Sequence, residues 1–321
     1  MKSVIFDTDI GIDDAMALLF LHYAPEIELI AITTKFGNAS VENTTRNALI
    51  VKQLFGIDAP VFKGAAAPLS PPLSQGFPAH VHGKDGLGDV ISFQTTLSAE
   101  AKSAAQALVD LTAAAQDKIS IIAVGGLTNI AAAIQLDPSF GQRVDKLIVM
   151  GGAFGYNGHR GNVSPVAEAN IASDPLAADR VFSAAMATTI VGLDVTHEVV
   201  MDHEFIQSLV RVAPHAGNFI AQTNQLYFDF HHSLSGKFEC PLHDSSAVAY
   251  LLKPELFSTI EHPVRVVTQG IALGQTIHGD GVRAYVSDAW DNLPQCTICT
   301  SVDGAGVLDL YKSTLALAPN T

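Results

Sequence analysis

The chain has 321 residues, 48% of them hydrophobic and 16% charged, which is ample material for a large packed core and excludes a disordered chain. Its 32 acidic residues against 18 basic give a formal charge of −14, a field that repels a phosphate backbone, argues against nucleic acid as a partner and suits a cation. Three cysteines, Cys240, Cys296 and Cys299, are too few for a disulfide scaffold.

A buried strand is expected at 4–6, almost at the start of MKSVIFDTD, with no apolar leader ahead of it. No apolar run approaches the roughly 18–20 residues of a membrane span, so the expectation is a cytoplasmic protein with no membrane contact. A helix with an acidic first turn follows at 13–22, a strand at 29–33 and a helix at 41–55. The stretch 65–89, rich in Pro, Gly and His, reads as a loop or lid over a site. Helix 101–115, strand 119–124, helix 128–135, strand 146–150, helix 175–185 and strand 189–193 continue the alternation. Helices are expected at 204–212, 214–232 and 245–252. Extended segments at 264–268 and 296–301 and a last helix near 307–316 complete the chain.

Continuous apolar strands separated by helices predict one α/β domain over 1–321. Its central sheet is mostly parallel and open in the Rossmann manner, with helices on both faces and a helical C-terminal half over the site. Ligands of such sheets sit beyond the C-terminal strand ends. Cys296 and Cys299, three apart in a strand, would face opposite sides, and a zinc site would need a second ligand pair; packing in the core is expected for both.

The unusual residues do follow the strands. Asp7-Thr8-Asp9-Ile10-Gly11-Ile12-Asp13-Asp14 places four carboxylates in eight positions at a strand end. The helix dipole favours Asp13 and Asp14 but leaves Asp7 and Asp9 unexplained. Two carboxylates about 6 Å apart repel by about 3 kcal/mol at an effective dielectric near 20, so several such pairs call for a cation among them. Oxygen ligands select Ca²⁺ or Mg²⁺ over zinc. The turn lacks the sixth-position Gly and closing Glu of an EF-hand, and the three glycines of a dinucleotide loop. Gly11 is expected to supply a backbone angle that other residues resist.

With this turn, the segments Thr33-Thr34-Lys35-Phe36-Gly37-Asn38, Val124-Gly125-Gly126-Leu127-Thr128-Asn129, Val166-Ala167-Glu168-Ala169-Asn170 and His243-Asp244 appear in order, and over nearly its whole length the chain resembles the inosine–uridine-type nucleoside hydrolases. The resemblance implies Ca²⁺ held by Asp9, Asp14, Asp244 and the Val124 carbonyl, with a ribonucleoside as substrate. It implies Asp9 as general base toward the attacking water, with inversion at the anomeric carbon. Asp13 and Asn38 would grip the ribose, as would Asn162, Glu168 and Asn170; in an extended segment Glu168 and Asn170 would point the same way. His243 is the candidate acid for the departing base and His82 a substrate-side histidine, while Tyr227 and His231, one helical turn apart, would reach the base. A homodimer or homotetramer is implied as well. The chain departs from the commonest pattern at Ala169, where an aromatic residue is frequent, at Ile10 in place of a proline, and at Ser245 after His243-Asp244. Two rival readings are a haloacid-dehalogenase-type phosphatase using Asp7 as nucleophile, with Gly279-Asp280-Gly281 as a partial echo of its late acids, and a catalytically silent calcium-dependent ribose-binding protein.

Overall fold

A computed structural model describes residues 1–70, 76–280 and 282–319. Among the described residues twelve strands are formed: β1 (Lys2–Thr8), β2 (Ile27–Thr34), β3 (Val61–Lys63), β4 (Ile119–Ala123), β5 (Val144–Met150), β6 (Thr188–Val191), β7 (Val200–Asp202), β8 (Glu239–Pro241), β9 (Phe257–His262), β10 (Val264–Val266), β11 (Thr276–His278) and β12 (Cys296–Val302). Eight build one sheet in the order β3-β2-β1-β4-β5-β6-β12-β9, parallel throughout except for the edge strand β9. The first six follow the doubly wound order, whose direction of winding reverses between β1 and β4.

The sheet separates two cores. Val4 and Phe6 of β1 face one, and Ile5 between them faces the other. Cys299 and Cys296 divide in the same way, as their spacing predicts. Helices Ala104–Ala114, Thr128–Leu136 and Pro175–Phe182 cover the second face. The first face carries Ile12–Tyr23 and Val41–Phe55 together with the later helices His203–Val212, Pro214–Ser235, His243–Leu252 and Gly304–Leu315. Local chemistry sets the helix limits. Ser40 accepts from the Asn43 amide to start Val41–Phe55, and Gly56, at φ 66°, stops it in the left-handed region.

Some elements differ from the sequence reading. Strand 189–193 ends at Val191, because Leu193 opens a short helix, Leu193–Thr196. Strand 119–124 ends at Ala123, and helix 101–115 begins at Ala104 behind the Ser103 cap. The strand expected at 264–268 is the short β10. The short strands β3, β7, β8, β9 and β11 had no counterpart in the reading. The stretch 65–89 is not featureless, because it carries the helical turn Ala79–His82; residues 71–75 of it lie outside the described residues. The Asn47 amide fastens it by donating to the Asp85 carbonyl at 2.8 Å. Among the described residues no helix is long and apolar enough to cross a membrane.

Candidate active site

β1 and β4 deliver the first groups, since both end where the sheet reverses. After β1 the chain turns through Gly11 into helix Ile12–Tyr23, which brings Asp13 and Asp14 into its first turn. Gly11 itself has φ −103°, open to any residue, so the expected special angle is not found. What Gly11 provides is room: a Cβ there would lie 2.5 Å from Asn38 Nδ2 and 2.7 Å from His82 Nδ1. From far along the chain, β8 pairs with β7 and leads into helix His243–Leu252, which carries Asp244.

Carboxylate oxygens of Asp13, Asp14 and Asp244 lie within 4.8 Å of one another, and all three residues are buried. Asp14 accepts from the Thr8 hydroxyl, from the Gly11 amide at 2.9 Å and from Asn38 Nδ2 at 2.8 Å. Asp9 Oδ2 accepts from the Asn38 amide at 2.8 Å, whereas Asp9 Oδ1 and Asp13 Oδ1 are buried without a partner. Burial pushes Asp9, Asp13 and Asp14 up to about 7, and Asp244 well above its ordinary range, with the neighbouring carboxylates adding to each. Carboxyls raised together in this way hold either protons or a cation.

Val124 lies one residue beyond β4, and its carbonyl accepts from Asn170 Nδ2 at 3.0 Å instead of extending the ladder. Asn170 belongs to the helical turn Ala169–Ser173, which Glu168 caps, so the extended geometry expected for this pair is replaced by a helix start. Glu168 accepts from the amides of Gly152, Asn170 and Ile171; even so, burial raises it to about 7. Asn162 Oδ1 accepts from the Ala169 amide at 3.0 Å.

These groups frame a cavity of about 500 Å³ lined by Asp13, Asn38, His82, Val124, Asn162, Glu168, Asn170, Tyr227, His231, His243 and Asp244. Asp9 and Asp14 do not line it. His82 Nδ1 accepts from the Ile12 amide at 3.3 Å, so its proton sits on Nε2, and burial with two nearby histidines lowers its pKa to about 3. His243 Nδ1 bonds Thr196 Oγ1 at 2.7 Å, which leaves Nε2 as the free ring nitrogen. Burial and the histidines 197, 231 and 82 hold this ring well below its usual range, hence neutral. Tyr227 and His231 meet edge to face at 4.6 Å between ring centroids.

The structure adds groups that the sequence reading missed. His197 lines the cavity, edge-on to His243 at 5.2 Å and stacked on His159 at 5.0 Å. Thr196 and His197 close the short helix Leu193–Thr196 that comes after β6, so a search of the segment beyond that strand end could have flagged them. Asp7 is not a site carboxylate: its Oδ1 is held by Thr33 Oγ1 and Asn129 Nδ2, and it does not reach the cavity. Asp280 is exposed, accepting from the amides of Val282 and Arg283. A phosphatase using these two acids is therefore not assembled.

The match to known proteins now has a place to fall. Residues 4–309 match the family described as inosine-uridine preferring nucleoside hydrolase. The chain belongs to that family. As a nucleoside hydrolase it cleaves the N-glycosidic bond of ribonucleosides. It is 37% identical to uridine nucleosidase 1 of Arabidopsis thaliana over 319 residues, covering 98% of this chain and 93% of that one. It is also 37% identical to the inosine-uridine preferring nucleoside hydrolase of Leishmania major, over 86% of this chain and 87% of the relative. A plant nucleoside hydrolase superposes with a TM-score of 0.93 at 34% identity, covering 99% of each chain. A purine-preferring ribonucleoside hydrolase from Gardnerella vaginalis gives 0.90 at 31% identity, also covering 99% of each chain.

Proposed function

We propose that this nucleoside hydrolase works with one Ca²⁺ held by Asp14 and Asp244 together with Asp9 and the Val124 carbonyl, and that Asp13 faces the ribose beside it. The observation that carries this reading is the pair of buried, unpartnered oxygens, Asp9 Oδ1 and Asp13 Oδ1, next to converging carboxylates. The donors are all hard oxygens, which fit Ca²⁺. When bound, the ion supplies positive charge that acidifies a water and neutralises the acidic cluster.

Asp9 is the general base, taking a proton from water as the water's oxygen attacks C1′ opposite the base. Asp13, Asn38, Glu168, Asn170 and Asn162 fix the ribose hydroxyls, so that the sugar is already oriented as it gains oxocarbenium character. His243, steadied by Thr196, donates a hydrogen bond from Nε2 to the departing base, and His82, Tyr227 and His231 wall the base side. A purely ribose-binding role would need neither the base nor the donor.

The test is a panel of ribonucleosides assayed for free base and ribose, with and without a calcium chelator. Expected are turnover that chelation abolishes and Ca²⁺ restores, and α-ribose as the first sugar product by NMR. Asp9→Asn should lose turnover with little change in substrate affinity; near wild-type turnover in that variant would remove Asp9 from the role. We further infer a cytoplasmic homo-oligomer, a dimer or tetramer. Light scattering on the purified protein checks the oligomeric state.

A further inference from the structure

One buried charge takes no part in the reaction above. Lys35 follows β2 directly and is completely buried, the sole lysine or arginine in that state among the described residues. At the same end of the sheet eight carboxylates are buried among the described residues: Asp7, Asp9, Asp13, Asp14, Glu168, Asp174, Asp194 and Asp244. An ammonium removed from water is costly unless negative charge offsets it. Its direct contacts do not supply that charge, being the Phe36 carbonyl, to which Nζ donates, and the Phe36 ring, 4.4 Å away at its centroid.

The Gly125-Gly126 turn links this ammonium to the cation site. A Cβ on Gly126 would lie 3.0 Å from Lys35 Nζ, and one on Gly125 would lie 2.2 Å from Asp9 Oδ1. Both groups thus press on adjacent residues of one turn. The field of Lys35 is felt by Asp9 and Asp7, whose carboxyls it holds below the level that burial alone would set.

We propose that Lys35 is a built-in counter-cation of the metal site, holding the buried carboxylates together before the divalent ion arrives and loosening the ion's hold afterwards. Both effects follow from one charge: it attracts the carboxylates and repels the ion. The inference rests on the cation site proposed above.

Wild-type protein, Lys35→Met and Lys35→Arg are stripped with chelator and titrated with Ca²⁺ by calorimetry at about pH 9, above the value of about 7 to which Asp9, Asp13 and Asp14 are raised. Lys35→Met is expected to bind Ca²⁺ on the order of tenfold more tightly, and Lys35→Arg within about twofold of wild type. Stripped Lys35→Met should melt below stripped wild type and recover with Ca²⁺. Loss of packing alone predicts weaker binding, so tighter binding separates the two accounts. If stripped Lys35→Met does not fold, Ca²⁺ release from the loaded protein into excess chelator replaces the titration, and slower release than wild type is expected. Equal or weaker affinity, or equal or faster release, overturns the role of Lys35. If wild type itself takes up no Ca²⁺, the cation site and this inference fall together.

Discussion

Asp9 sits in a slot kept open by missing side chains. A Cβ on Gly37 would lie 1.7 Å from its Oδ2, and one on Gly125 would lie 2.2 Å from its Oδ1. Gly125→Ala should therefore displace the base while leaving the sheet intact. Because a misplacement of about 1 Å can cost about a hundredfold, kcat should fall by at least that factor with an unchanged circular dichroism spectrum; near-normal kcat would mean that the slot tolerates the methyl. His243 poses a different question, since a ring held neutral donates a hydrogen bond more readily than a full proton. Its contribution should depend on the leaving group. His243→Ala is expected to lower kcat/KM on nucleosides by about 10²–10⁴, yet to spare an aryl riboside whose leaving group is already acidic. Equal losses on both substrates would reassign His243 to holding its neighbour Asp244.

At the scale of elements, three pieces meet: the β1 turn, the helix His243–Leu252, and the helix Pro214–Ser235 that overhangs the cavity with Tyr227 and His231. The last touches only the base side in this reading, so Tyr227→Ala should raise KM unevenly across bases while the inhibition constant of ribose, read as product inhibition, stays put. A uniform loss across bases would move Tyr227 out of the base pocket. Most of this architecture was legible in the sequence. Long helices and continuous apolar strands carry a strong period, and βα-turn acids are conspicuous because charge is scarce. What escaped has physical reasons. β3, β7 and β11 are three residues long, too short for a period to register. Glu168 reads as polar loop until its carboxylate is seen capping a helix. Asp7 looked like Asp9 in the sequence, and only the fold shows it bonded to Thr33 and Asn129 behind the sheet end.

For the whole molecule, the acidic cluster makes stability depend on both pH and cation. Asp9, Asp13 and Asp14 have an ordinary value of 3.8 and are raised to about 7 when folded, chiefly by burial. A group raised in the folded state favours folding below its unfolded value and loses that contribution as pH rises through its folded value. Chelated protein should therefore melt at progressively lower temperature between about pH 4 and pH 8, while a bound cation removes most of the penalty by occupying the site in place of protons. The gap in melting temperature between loaded and chelated protein should widen with pH; a gap that stays constant would mean that these carboxyls do not titrate with folding.

The sheet order carries one more consequence, for the birth of the chain. β12, at residues 296–302, lies between β6 and β9, and among the described residues β9 has no other partner in the sheet. Until that late segment leaves the ribosome, the apolar flank of β6 has nothing to pair with and β9 drifts. Such a bare flank invites chains on neighbouring ribosomes to pair with one another, so the nascent protein is safe from aggregation only once residues 296–302 have emerged.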